Sequence, residues 1–501
     1  DLVVFDECHK LSADREPDLR VRKTDRYKLA EALAGVQGLG PRWQLTWSPQ
    51  HLLLLTATPH MGKDYPYYCL WRLLEPNVLS TAEAFDAFPA EARQRHFIRR
   101  TKEEMVTLDC KPLYPKRNSD TLTYELTQGS NSEQHLYDET TEYLQSVYNR
   151  AKLLNRSAAR LAMSVFQRRL ASSTYALMRS FERRIAKLDG LIADVEDGKL
   201  TMDQLMRLQQ QIAEEGDVLE SKTADEETAE DDQEENEAGE DRLLQGVIAV
   251  SLDDLRAERS QVDRLLTLAK RVHDDKHMES KFERLREIVT DPKYAHEKLL
   301  IFTEHRDTLE YLVRRLEGLG FTGQVARIHG GLHYTERQEQ VELFRKPLAE
   351  GGARFLVATD AAGEGINLQF CWVMTNYDVP WNPARLEQRM GRIHRYGQKH
   401  DPVIILNLVA ARTREGRVLK TLLDKLEKIR KQLKSDKVFD VIGRIFEGVS
   451  IRQYMEEALT EEGAAAVEDR LEGQLTKEQV QALAEREKRL FGDGGDVCKE
   501  L

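Results

Sequence analysis

The sequence predicts an α/β protein with two parallel-sheet lobes, a long helical insertion between them and a helical tail. Three observations carry that prediction. Short, wholly apolar runs near the start (Leu2-Val3-Val4-Phe5 and Leu52-Leu53-Leu54-Leu55) are too brief for helices and read as strands buried on both faces. From about Ser132 to Leu208 the apolar spacing turns helical. From Lys298 onward strand-like and helix-like runs alternate, the pattern of a doubly wound parallel sheet.

In chain order, helical pattern lies around Tyr27–Ala34 and Tyr67–Leu74 of the first lobe. In the insertion Leu144, Val147, Tyr148, Ala151 and Leu154 form an apolar stripe. Arg160, Arg168, Arg169, Arg179, Arg183 and Arg184 enrich the stretch Arg156–Lys187, and no Gly or Pro interrupts Asn155–Leu188, so long helices are expected. Residues 214–241 are acidic and poor in aromatics, which predicts a disordered loop. Another helix is expected near Leu252–Val272. Strands then follow at Leu299–Thr303, Gln324–Ile328, Phe355–Ala358, Trp372–Tyr377 and Val403–Leu408. Helices are expected at Thr308–Leu319, Thr335–Phe344 and Pro383–Met390, with a charged helical tail from Glu415.

A length of 501 residues suggests two to four domains, and a hydrophobic share of 41% supplies ordinary cores. No run approaches the roughly 18 apolar residues of a membrane span, and no targeting segment opens the chain. The first residue is Asp1, which leads to the expectation of missing upstream sequence. Cys8, Cys69, Cys110, Cys371 and Cys498 are scattered without metal-ligand spacing, a usage that fits a reducing cytoplasm and argues against disulfides. Net charge is −12, but 11 of the 17 residues in 225–241 are acidic, so the rest is near neutral. The overall charge therefore excludes no local nucleic-acid surface.

Four strings carry candidate chemistry. Asp6-Glu7 follows an apolar strand, which places two carboxylates at the carboxyl end where α/β sheets bind ligands. One can hold Mg²⁺ through water while the other polarises the attacking water; alone, the pair also reads as solvated turn residues. Thr56-Ala57-Thr58-Pro59 ends a second strand, as a hydroxyl switch or an ordinary Pro turn. In Thr359-Asp360-Ala361-Ala362-Gly363-Glu364-Gly365-Ile366-Asn367 the glycines allow close phosphate approach and Thr359 and Asn367 offer neutral hydrogen bonds; a tight turn is the alternative. In Gln388-Arg389-Met390-Gly391-Arg392-Ile393-His394-Arg395-Tyr396-Gly397-Gln398, Arg392 and Arg395 share a helical face and can act as arginine fingers, or form an exposed basic helix.

Together with Ile301-Phe302-Thr303-Glu304-His305, these strings occur in the order of motifs II to VI of superfamily 2 helicase-like ATPases, and the chain resembles that family over roughly residues 1–410. Asp378-x-x-Trp381-Asn382-Pro383 and His394–Gln398 are similar to the Swi/Snf-type branch. Thr58–Lys63 and Arg99–Glu103 resemble its bacterial RapA-like members, and the serine-centred stretch Arg168–Arg184 looks most like the helicase-like subunit of DISARM anti-phage systems.

The resemblance implies two RecA-like lobes, the first incomplete, divided as 1–128 (lobe 1), 129–280 (insertion), 281–412 (lobe 2) and 413–501 (extension). It implies ATP and Mg²⁺, with Asp6 on the metal, Glu7 on the water and Arg392 and Arg395 as fingers. Gly365 and Gln388 would lie near the nucleotide. His9, Thr56 and Thr58 would couple that site to a nucleic-acid track lined by Thr303, His329, Gly330, Thr359 and Asn367. The implied activity is DNA-dependent ATP hydrolysis and translocation on double-stranded DNA within a defence complex, with no membrane partner. Remodelling of RNA polymerase or another DNA-bound protein is the alternative in the same chemistry, and a silent DNA-binding scaffold the alternative of another class. The insertion occupies the position of the helical protrusions of Swi/Snf-like enzymes, and its arginines are expected either to touch DNA or to be solvated. The chain holds no G-x-x-x-x-G-K-[S/T] phosphate loop, so the expectation is that it is inactive alone.

Overall fold

The computed structural model describes residues 1–11, 13–15, 20–36, 40–43, 45, 47, 49–56, 64–89, 92, 95–98, 102, 105–151, 166–201, 204, 251–274, 279–360, 366–381, 383–433, 457–458 and 461–474. The acidic stretch 214–241, Thr58 and Gly365 lie outside them, as do Leu154 and Arg160.

The first lobe contains β1 (Leu2–Phe5), the antiparallel pair β2 (Ala13–Arg15) and β3 (Val21–Lys23), α1 (Asp25–Leu33), β4 (His51–Leu54), α2 (Asp64–Leu74) and α3 (Ala82–Asp86). β1 and β4 pair in parallel, Leu2 opposite His51 through Phe5 opposite Leu54. Their inward residues Phe5, Leu52 and Leu54 pack against a core of Tyr27, Tyr68, Trp71 and Leu73 from α1 and α2. The expectation that these strands are buried on both faces is corrected. Leu2 is 58% exposed and Leu53 44%, because among the described residues helices cover one face only.

β5 (Arg117–Tyr124) precedes the insertion, which holds α4 (Glu133–Ala151), helical residues 166–172, α5 (Thr174–Glu196) and α6 (Leu252–Asp274). Tyr143, Leu144, Phe166, Phe181, Leu188, Val262 and Leu265 build a core of their own between these helices. Ser173 caps α5, its hydroxyl accepting from Ala176 N at 3.0 Å.

The second lobe follows the predicted alternation. It runs α7 (Ser280–Thr290), β6 (Leu299–Phe302), α8 (Arg306–Leu316), β7 (Val325–Ile328), α9 (Tyr334–Arg345), β8 (Phe355–Ala358), β9 (Val373–Asn376), α10 (Pro383–Met390) and β10 (Val403–Ala410). The six-stranded sheet has the order β5-β10-β9-β6-β8-β7, every pair parallel. One face, with Leu300, Phe302, Leu356 and Ile405, packs on α9, α10 and the tail helices α11 (Arg414–Leu433) and α12 (Glu461–Gln474). The other face, with Ile301, Val357 and Leu406, packs on α7 and α8. Burial on both faces explains why these strands read as continuous apolar runs.

β5 lies before the boundary the sequence suggests at 128, yet it is an edge strand of this second sheet, paired with β10 from Arg117–Val403 to Tyr124–Ala410. Cys8, Cys69 and Cys371 are free and buried, whereas Cys110 is disulfide-bonded, which departs from the expectation drawn from cysteine spacing. Among the described residues no helix is long and apolar enough to cross a membrane.

Candidate functional site

The parallel pairing of β1 and β4 brings the two strings of the first lobe together. Leu55 N donates to Phe5 O at 2.8 Å and Cys8 N to Leu55 O at 2.9 Å, so the chain leaves both strands side by side. Asp6 and Glu7 stand exposed at that edge. Glu7 takes a left-handed backbone (φ 48°) and donates its N–H to Asp6 Oδ1 at 2.9 Å. That left-handed turn carries a conformational cost a non-glycine residue rarely accepts.

His9 is buried, and its Nδ1 lies 2.9 Å from Thr56 Oγ1 and 3.3 Å from Glu7 Oε2. Burial and the neighbouring Lys10 outweigh the carboxylate of Asp6 and push its pKa down to about 4. The ring is therefore neutral near pH 7, hydrogen-bonded to Thr56 and lying beside Glu7 rather than facing it as a cation. Cys8 is an inert core thiol, pushed up to about 12 by burial and by Glu7.

In the second lobe the register aligns the strand ends. Phe302 is level with Ala358 and Asn376, and Ile328 with Ala358. The next residues, His329, Thr359, Thr303 and Tyr377, therefore emerge in one row at the carboxyl edge, followed by Gly330, Asp360, Glu304 and Asp378. Thr359 N donates to Ile328 O, Thr303 N to Ala358 O and Tyr377 N to Phe302 O, extending the ladder by one rung at each strand. Three residues expected on the track, His329, Thr359 and Thr303, thus lie side by side with Gly330 one position further, although far apart in sequence.

Their side chains differ. Thr303 is fully buried and donates to Asp378 Oδ2 at 2.5 Å, so it orients the strand end rather than facing solvent. Thr359 is buried as well. His329 is 5% exposed, its Nδ1 finds no partner among the described residues, and burial with Arg306 nearby lowers its pKa. Gly330 O accepts from Arg337 Nη2 at 2.7 Å. Asn367 is exposed, its Oδ1 accepting from Gln369 N at 3.1 Å, and Gln388 is exposed on α10.

Arg392 and Arg395 follow α10 directly and are half-buried, Arg395 Nε donating to Gly391 O at 2.9 Å. Their segment is pinned by neighbours within the same string to which the resemblance gave no separate role. His394 is 1% exposed with Nε2 2.8 Å from Pro115 O, and Gln398 Nε2 donates to Cys371 O at 2.9 Å. Arg389 grips Asp360 with two nitrogens (Nε to Oδ1, and Nη2 to Oδ2 at 2.7 Å), while its Nη1 donates to Asp378 O at 2.6 Å. This fork locks the fourth string onto the third. The strand–D pattern of Asp360 and Asp378 offered a signal for these partners, since both carboxylates end buried strands.

Asp378 is the charge on which this edge turns. Burial alone would raise its pKa, but Lys281, with Nζ at 2.6 Å, and His305 outweigh it and hold the carboxyl at about 2. A carboxylate whose folded pKa lies below its unfolded value stabilises the fold above the unfolded pKa and loses that contribution as pH falls. Asp378 is thus expected to contribute about 2 kcal/mol at neutral pH, lost between about pH 4 and pH 2. Asp378→Asn removes that part of the acid unfolding limb, as followed by circular dichroism against pH.

Three of the insertion arginines, Arg169, Arg183 and Arg184, spend their charges on partners within the protein. Arg184 is 3% exposed and paired with Glu258, whose own exposure is 3%. Arg169 is buried, donating to Ser180 Oγ at 3.1 Å, and Arg183 pairs with Asp307. Both earlier alternatives are corrected for these three residues, because tertiary ion pairs use their charges internally.

Comparison with known proteins agrees with the second-lobe geometry. Residues 280–397 match the helicase conserved C-terminal domain family. The chain is 28% identical over 436 residues to an uncharacterized ATP-dependent helicase, YqhH, of Bacillus subtilis, covering 85% of this chain and 58% of that protein. It is 37% identical over 114 residues to the RNA polymerase-associated protein RapA of Serratia proteamaculans, covering 22% of this chain and 11% of that one. It is also 31% identical over 191 residues to a human SWI/SNF-related matrix-associated actin-dependent regulator of chromatin, subfamily A member 1, covering 38% of this chain and 17% of that protein. The chain therefore spans little more than half of the first relative and far less of the others. These likenesses place residues 280–397 with the helicase conserved C-terminal domain and do not reach the anti-phage branch.

Proposed function

We propose that this chain supplies the water-activating and finger residues of a DNA-dependent ATPase that translocates on duplex DNA. The observation that carries the reading is the placement of every described motif at the carboxyl end of a parallel strand or on the helix pinned to it. Phosphates bound along such an edge are gripped without base readout, which suits a tracking motor.

Asp6 and Glu7 fit a hydrated Mg²⁺. Magnesium on a nucleotide takes one or two carboxylates and fills the rest of its shell with water and phosphate oxygens. Among the described residues no group of three or more ligating side chains exists that would demand a closed metal cage. Asp6 would hold the ion, and the ion when bound would neutralise charge developing on the β- and γ-phosphates. Glu7 would accept a proton from the attacking water, with neutral His9 and Thr56 holding its carboxylate. Arg392 and Arg395 would meet the γ-phosphate from the second lobe. Gly365, Gln388 and Thr58 keep their proposed places near the nucleotide and in coupling, and His329, Gly330, Thr359 and Asn367 theirs along the track. Because the 501 residues hold no phosphate loop, we infer that the isolated chain turns over essentially no ATP.

A second reading, remodelling of DNA-bound RNA polymerase, is favoured by the similarity to RapA. A role in an anti-phage complex rests on the serine-centred stretch Arg168–Arg184 alone. ATP turnover by the full-length gene product discriminates the first two. Duplex DNA alone should stimulate a translocase by about tenfold or more. Stimulation only by polymerase bound to DNA supports the second reading and overturns the first.

A further inference from the structure

The stretch 168–184 stood out in the sequence, and the proposed chemistry leaves it without a role. Its turn, Ser172-Ser173, ends the helical segment 166–172 and opens α5. Ser172 and Ser173 are 2% and 0% exposed and face the start of α8, where Thr308 is also fully buried. Ser172 Oγ lies 2.7 Å and Ser173 Oγ 2.8 Å from Thr308 Oγ1, and Ser172 Oγ donates to Asp378 Oδ2 at 2.6 Å.

Each hydroxyl has one proton to give, so the chain has a single consistent direction. Ser172 gives its proton to the carboxylate and must accept from Thr308; Thr308 must then accept from Ser173, whose remaining acceptor site takes Ala176 N. A buried carboxylate at one end polarises such a chain and strengthens every link. Lys281 closes the joint from the other side, donating to Ala171 O at 2.7 Å, Ser172 O at 3.1 Å and Asp378 Oδ1 at 2.6 Å. The same Asp378 takes Thr303 Oγ1 and Glu304 N from the end of β6, and its carbonyl takes Arg389 from α10.

We infer that the Ser172–Ser173 turn is a socket through which the helical insertion sets the position of the helix that leads into Arg392 and Arg395. Asp378 is the positioning residue at its centre. The turn touches neither nucleotide nor nucleic acid in this account, so it acts through α10, and whatever moves the insertion moves the fingers. The inference rests on the reading of Arg392 and Arg395 as fingers only for its effect on turnover; the mechanical link stands on the hydrogen bonds alone.

The test uses the full-length gene product carrying Ser172→Ala with Ser173→Ala and, separately, Thr308→Val, which keeps the shape and removes the middle hydroxyl. Amide hydrogen exchange read by mass spectrometry should rise about tenfold in α10, on the far side of Asp378 from the substitution. DNA-stimulated kcat should fall about tenfold while KM for ATP stays within about twofold, since positioning of the fingers is lost and ground-state binding is not. A merely structural turn would loosen 166–180 and leave α10 unchanged, and that result overturns the inference. If the unsubstituted protein shows no DNA-stimulated turnover, the functional reading fails, and exchange in α10 still decides the link by itself.

Discussion

Replacing Arg184 by leucine is expected to destabilise the protein by about 3–5 kcal/mol, because it strips the counter-charge from Glu258 where both side chains are 3% exposed. Glu258 Oε1 accepts from Arg184 Nε at 3.0 Å, from Arg184 Nη2 at 2.5 Å and from Tyr143 OH at 2.9 Å, which joins α4, α5 and α6 at one oxygen. Without the guanidinium a carboxylate remains buried with one neutral donor. The double change Arg184→Leu with Glu258→Leu should recover most of the loss, since buried pairs exchanged for apolar residues are often near neutral. Denaturant unfolding of the single and double variants measures both. The salt dependence of DNA binding should be unchanged in Arg184→Leu, because the side chain faces the insertion core.

In the full-length gene product Arg389→Met should produce the second large effect, about 3–5 kcal/mol of stability and a loss of turnover of about a hundredfold or more. The guanidinium is 3% exposed, forks onto Asp360 and holds Asp378 O, so its removal strands a carboxylate and frees α10 from the sheet edge. Displacing α10 displaces Arg392 and Arg395, and misplacement by an ångström is enough for a loss of that size. Arg389→Lys keeps the charge but cannot reproduce the fork. It should recover part of the stability and little of the turnover, a split that urea unfolding and steady-state kinetics resolve.

The second lobe was legible because each strand is buried on both faces, which leaves unbroken apolar runs such as Phe355–Ala358 between helical segments. β5 was not legible. Its sequence, Arg117-Asn118-Ser119-Asp120-Thr121-Leu122-Thr123-Tyr124, is that of an edge strand whose hydrophobic contribution to the core is Leu122 and Tyr124. β1 and β4 read as doubly buried from their composition, although burial depends on covering layers that a four-residue run does not encode.

At the site, the residues that face solvent or a ligand announced themselves: Asp6, Glu7, Asn367 and Gln388 are exposed. The partners that hold them did not. Asp360 with Arg389, and Asp378 with Lys281 and Ser172, are pairings between distant segments, 97 residues apart for Lys281 and Asp378. A basic run such as Arg168–Arg184 gives no sign of whether its charges point outward or toward Glu258 and Asp307.

Glu7 is the residue on which the proposed hydrolysis depends. ATP turnover by the full-length gene product with duplex DNA, measured beside Glu7→Gln, tests it most directly. Glu7→Gln should lower kcat by about a hundredfold or more, the scale of a lost general base, with DNA binding retained. Turnover at the unsubstituted rate in Glu7→Gln would contradict it.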